Sequence, residues 1–200
     1  MEKKGDAGRC FCIDDFDAPT VALEGIRRQM MARQMPFRCF GESGTGQSLH
    51  NRLQSEYQRY RAGSDSVDIV AAGGGCAGAL ALSEQLPVRR LALAWPEERA
   101  GTMGGEVARL WAFAARNLAF CVSEVLVVMA DDGRARKRLA SMKRSMPQAT
   151  FRAALMPVEE WMGRWRMGGE RVPSAVCDFL CGQEFAKPLA EIPEMCIIYV

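Results

Sequence analysis

Three features of this 200-residue chain have the residue types for covalent chemistry: a thiol set among glycines, a pair of aspartates closing an apolar run, and one histidine. Cys76 lies in Gly73-Gly74-Gly75-Cys76-Ala77-Gly78, between the apolar run Val67–Ala72 and the helix-suited run Ala79–Leu86. A cysteine at the apex of a strand-to-helix turn can attack an acyl carbon, because a thiolate is already a strong nucleophile. The plainer alternative is a small buried apolar residue, a role cysteine fills well. Asp131 and Asp132 close the run Val125–Ala130. His50, the only imidazole, opens a segment with Leu49, Leu53, Tyr57 and Tyr60 at helical spacing. Asp14 and Asp15 follow the first strand-like run, Arg9–Ile13.

The remaining elements explain how these residues can share one place. Beyond Pro19, a first-turn residue for a helix, Leu23, Ile26 and Met30 recur at helical spacing up to about Gln34, and Phe37–Phe40 reads as a short strand before the loop GESGTGQS. Pro87 ends the helix after the glycine turn, and Arg89–Trp95 returns as a strand. The loop PEERAGTMGGE leads to a helix with Val107, Leu110, Trp111, Ala114 and Leu118 on one face. After Val125–Ala130 come a basic helix, a strand at Thr150–Leu155, a tryptophan-rich segment, a helix near Pro173–Leu180 and a tail ending CIIYV. Strict β-α alternation implies a parallel sheet with helices on both faces. The expected fold is therefore a three-layer α/β/α domain with a mostly parallel six-stranded sheet. Its boundaries are expected at a tail over 1–8, a domain over 9–182 and an extension over 183–200. All loops following parallel strands share the carboxyl rim, so Cys76, Asp132, His50 and Asp14-Asp15 should gather there.

Gly74-Gly75-Cys76-Ala77-Gly78 fits G-x-[nucleophile]-x-G, the elbow of the α/β-hydrolases, with cysteine in place of serine. The surroundings resemble that superfamily too, over roughly residues 9 to 181. Ala79–Leu82 and Leu86–Leu93 look like the helix and strand after an elbow, Phe37–Ser48 like the strand and glycine-rich loop before it, and Val172–Leu180 like the closing helix. The resemblance implies a minimal hydrolase without a cap, its sheet ordered 2-1-3-4-5-6, acting on esters or thioesters or as an acyltransferase. It implies Cys76 as nucleophile, Asp132 or its neighbour Asp131 as acid, and the backbone at Ala77 and Asp15 as oxyanion donors. The general base should lie in the loop Met156–Trp161, which reads MPVEEW and holds no histidine. His50 is then the remaining imidazole, with Glu159 or Glu160 as substitutes. The alternative is a catalytically degenerate relative that binds a small acyl or ester ligand, or a partner protein, without turnover. With so incomplete a triad, a single burst of product with little turnover is expected.

Gly73, Gly75 and Gly78 also fit G-x-G-x-x-G, the pyrophosphate turn of FAD- and NAD-binding domains. That turn usually follows a domain's first strand, whereas here two β-α units precede it. The acidic residue expected at the end of the next strand is also displaced, since Glu97 and Glu98 follow Pro96. The hydrolase resemblance is thus preferred, and no cofactor is expected. A net charge of +2 argues against a dedicated nucleic-acid or membrane-surface binder. The start MEKKGDAGR lacks a signal peptide's apolar core. The eight cysteines are scattered, without C-x-x-C pairs, so reduced thiols and a cytoplasmic location are expected. Arg134, Arg136, Lys137, Arg138, Lys143 and Arg144 read as a solvated basic face. Trp161, Arg164, Trp165 and Arg166 read as packing at the sheet edge, with stacking on a flat ligand as the alternative.

Overall fold

Val67–Ala72 forms β3 with all six residues buried, and the sheet is built outward from it. The structure, a computed structural model, describes residues 8–14, 16, 20–40, 48–64, 67–94, 121–158, 170–187 and 196–199. The other strands are β1 (Arg9–Ile13), β2 (Phe37–Cys39), β4 (Val88–Ala94), β5 (Val122–Ala130), β6 (Thr150–Met156) and β7 (Cys196–Tyr199). Among the described residues the helices are α1 (Val21–Ala32), α2 (Leu49–Arg61), α3 (Gly75–Gln85), α4 (Ala135–Ser145) and α5 (Arg171–Leu180).

The order is β2-β1-β3-β4-β5-β6-β7. Strands β1 to β6 run parallel in the expected order, with Phe11 beside Ile69 and Ala71 beside Leu93. The sheet has seven strands rather than six, because Cys196–Tyr199 pairs antiparallel with β6. A four-residue strand at a chain end leaves little periodicity to read, so CIIY looked like a tail.

Period-two alternation sorts the core into two layers. Phe11, Ile69, Leu91, Val125 and Phe151 face α2, α3 and α4. Cys10, Cys12, Val70, Ala92 and Leu126 face α1 and α5. Fully burying a side chain such as Phe11 or Leu53 contributes about 1.5–3 kcal/mol, and Tyr57 adds a hydrogen bond from its hydroxyl to Pro87 O at 3.2 Å. Asp68 on β3 is the charged group in this interior. It accepts from Arg89 Nε and Nη2 at 2.9 and 2.8 Å, and from the Arg90 N–H at 3.2 Å. Helix α1 starts at Val21 because Thr20 Oγ accepts from Leu23 N at 3.1 Å. The tail over 1–7, Pro19, most of the GESGTGQS loop, the helix around Leu110 and the tryptophan-rich segment lie outside the described residues.

Candidate functional site

Where β3 gives way to α3, Gly73 takes the left-handed conformation, with φ at +58°. Gly74 is already helical, and α3 begins at Gly75. The helix therefore begins four residues before Ala79, where the sequence pattern alone predicts it, and two of the glycines, Gly75 and Gly78, lie within it. They serve another purpose. A β-carbon on Gly75 would collide with the Asp14 carbonyl oxygen and lie 2.5 Å from Ile13 O, so only hydrogen lets α3 pass the end of β1. At Gly78 a β-carbon would come 2.8 Å from Leu53 Cδ1 and 3.2 Å from the Phe16 ring, drawing α2 close.

This geometry moves Cys76 off the apex and into the first turn of α3. Its side chain is fully buried. The thiol faces the Ala71 and Ala94 carbonyls, with Sγ 3.6 and 3.5 Å from their oxygens, so it sits under the ends of β3 and β4 rather than on the rim. The N–H groups expected to be free are occupied. Cys76 N donates to Gly73 O, and Ala77 N, the expected oxyanion donor, donates to Gly74 O, both at 3.1 Å. A nucleophile elbow holds its nucleophile on the strained residue at the strand's end, where the side chain is exposed. Here that residue is Gly73, which has no side chain. Cys76, the centre of the G-x-[nucleophile]-x-G pattern, thus stands three positions beyond Gly73, the strained residue of this turn.

The other candidates lie around the same rim. Asp131 and Asp132 follow β5 and are exposed. Asp132 accepts from Arg134 N at 3.0 Å and pairs with Arg138 at 2.7 Å, so it organises the entry to α4. Slight burial raises its carboxyl pKa, but the Arg134 N–H and the Arg138 guanidinium outweigh that and hold it below the usual carboxylate value. Asp131 N bonds Met156 O at 2.7 Å, tying the ends of β5 and β6 together. His50 is half-buried in the first turn of α2, which follows β2, while the Cys76 thiol faces β4. Strands β2 and β4 are separated by β1 and β3, about 14 Å at the usual strand spacing. After β6 the described chain reaches Val158, so Glu159 and Glu160 lie outside it.

Asp15 also lies outside the described residues. Asp14 accepts from Thr20 N and Thr20 Oγ at 3.0 and 2.8 Å, which shapes the loop into α1. The backbone that β1 presents to the glycine turn consists of the Ile13 and Asp14 carbonyls. Both are hydrogen-bond acceptors, set against Gly75. The sequence reading missed Gly73 as the strained position. Its one available signal was that Gly73 directly follows the last β3 residue.

The basic helix behaves as a scaffold face. Arg134, Arg136, Lys137 and Arg144 are exposed, and Lys143 Nζ donates to Ala149 O at 3.0 Å. All eight cysteines are free thiols. Among the described residues no helix is long and apolar enough to cross a membrane, and no group of three or more His, Cys, Asp or Glu could hold a metal ion.

No protein-family profile matches the chain, and no curated protein matches it. Among solved structures, the chain is similar to the NocB thioesterase domain, determined as a covalent complex with a fluorophosphonate nocardicin G analog. That likeness has a TM-score of 0.49 at 15% identity and covers 86% of this chain and 94% of the other. At that level nothing passes from that protein's chemistry to this chain. The fold itself is a three-layer α/β/α arrangement with the order β2-β1-β3-β4-β5-β6-β7, in which the turn after β3 has glycine at its strained position.

Proposed function

We propose that this protein is a catalytically degenerate relative of the α/β-hydrolases, a binding module rather than a turnover enzyme. One observation carries the reading: the strained residue after β3 is Gly73, and the nearest thiol, Cys76, is buried in the first turn of α3. A buried thiol hydrogen-bonded to carbonyls packs as a small apolar residue does. Acyl transfer needs a nucleophile within reach of substrate, a base beside it and donors aimed at the oxyanion. Here the thiol faces the sheet, the N–H groups of Cys76 and Ala77 are spent within the turn, and Asp132 serves α4. The ligand proposed for the carboxyl rim is a small acyl or ester compound, since open α/β sheets bind ligands beyond the strand ends where the order reverses, here between β1 and β3.

Labelling with thiol-directed acyl probes tests this, with Cys76→Ser and Cys76→Ala as controls. The wild type should label no more at position 76 in its native state than either variant, and Cys76 should label only after denaturation. Stoichiometric native labelling of Cys76, abolished in Cys76→Ala, would restore the thiol-dependent hydrolase or acyltransferase reading.

A further inference from the structure

At the opposite, amino-terminal rim, three neighbouring strands carry a charged row on the face that packs α1 and α5. Glu124 on β5 accepts from Arg90 Nε at 3.1 Å and from Arg152 Nη1 at 3.3 Å. Arg90 also donates through Nη1 to Leu180 O at 2.7 Å, at the end of α5. Gly182, at φ +71°, turns the chain over Arg90, and a β-carbon there would lie 2.8 Å from Arg90 Nη2. The Arg152 guanidinium lies 5.6 Å from the Phe185 ring centre, and the Tyr199 ring follows at 6.2 Å from Phe185. These groups line an open cavity of about 420 Å³.

We propose that this cavity is a second ligand site, built for a monocarboxylate with a flat apolar body. Two guanidiniums face one carboxylate, so the row holds one surplus positive charge. Among the described residues, Nη2 of Arg90 and Nη2 of Arg152 have no protein acceptor. Guanidinium N–H pairs match a carboxylate in geometry and charge. Phe185 supplies a buried ring and Tyr199 an exposed one, 66% accessible, against which a planar body can lie. A structural clamp accounts for Arg90, which ties α5 to the sheet, and for Nη1 of Arg152 on Glu124, and leaves Nη2 of Arg152 and the exposed Tyr199 ring for a ligand. Glu184 at the cavity lining is exposed and disfavours a doubly charged anion.

Calorimetric titration of the full chain with naphthoate, and with neutral naphthamide of the same shape, tests the proposal. Naphthoate should bind at one site, and the amide should bind about tenfold more weakly or worse. Arg152→Gln should weaken naphthoate by a similar factor, and Tyr199→Ala should weaken both compounds. Cys76→Ala should leave the titration unchanged, so failure here is separable from failure of the binding-module reading. Backbone amide shifts in the unmutated protein give an independent measurement, expected at Gly182, Phe185 and Tyr199. Equal affinity for acid and amide, no binding, retained affinity in Arg152→Gln, or shifts confined to the carboxyl rim would each overturn it.

Discussion

Gly75→Ala should destabilise the protein far more than Gly78→Ala, although both replace a buried glycine within α3. Each substitution gains about 1 kcal/mol in helix propensity. What differs is the neighbour that must yield. At Gly78 the nearest atom is Leu53 Cδ1 at 2.8 Å, the end of a side chain that can turn aside. At Gly75 the obstacles are the carbonyl oxygens of Asp14 and Ile13 and the Ile13 carbonyl carbon at 2.8 Å, all backbone. That backbone cannot shift cheaply. It is laddered to β3 along Arg9–Ile13 and held beyond by the Asp14–Thr20 bonds. Overpacking costs about 1–3 kcal/mol and occasionally more. Near the upper end of that range, Gly75→Ala should lose about 2 kcal/mol net or more. Gly78→Ala should stay within about 1 kcal/mol of wild type. Urea unfolding followed by far-ultraviolet circular dichroism reads the difference as a shift in midpoint at constant slope. Equal midpoints for the two variants would refute the close passage of α3 against β1, and with it the assignment of the elbow to Gly73.

Other consequences follow from the same coordinates. Arg89→Ala strands a fully buried Asp68 and should cost about 3–5 kcal/mol in unfolding free energy. Burial raises the Asp68 pKa above the ordinary carboxylate value while Arg89 lowers it, and the net direction is upward. A carboxyl held higher in the folded state binds its proton more tightly there, so stability falls as pH rises from 3.8 through that higher value. Removing Arg89 should widen the window, and urea midpoints at about pH 4 and about pH 7 would reveal it. Asp132→Asn should lose less than about 1 kcal/mol, because its pair is largely solvated. Its pKa is lowered, so that contribution is present above the unfolded value and disappears as pH falls through the folded one, again read by unfolding titrations. Ellman's reagent should modify Cys121 quickly in the native protein, since that thiol is exposed. Cys10, Cys12, Cys76 and Cys177 should react only on unfolding. Burial pushes the Cys177 thiol up to about 12.

The parallel strands were legible because strands buried on both faces leave apolar runs, and Val67–Ala72 and Val125–Ala130 are such runs; their order came from the resemblance and not from the runs. Strand β7 was not legible, since four residues at a chain end carry no usable period. The site was half-legible. A glycine cluster between strand and helix correctly marked the close approach of backbones. Which glycine bears the strain depends on where the helix begins, and glycine lowers helix propensity without forbidding helix. Gly75 and Gly78 are helical because tertiary contact with Ile13, Asp14 and Leu53 requires residues without a β-carbon there. Local propensity therefore misplaced Cys76 from helix to turn. Whether a carboxylate such as Asp132 serves a site or a helix entry depends on Arg138, six residues further along, and sequence alone does not say which way that guanidinium turns.

Stopped-flow mixing of the protein with an excess of a p-nitrophenyl ester, with intact-mass analysis of the quenched protein, tests the central claim most directly. Without a reachable nucleophile, the trace should show no burst and the mass no acyl adduct, in wild type and Cys76→Ala alike. The sequence alone leads to the expectation of a single burst, whereas the proposed binding-module reading, with Cys76 buried, predicts none. A burst approaching one equivalent, with the acyl group mapped to Cys76 and lost in Cys76→Ala, would contradict the account.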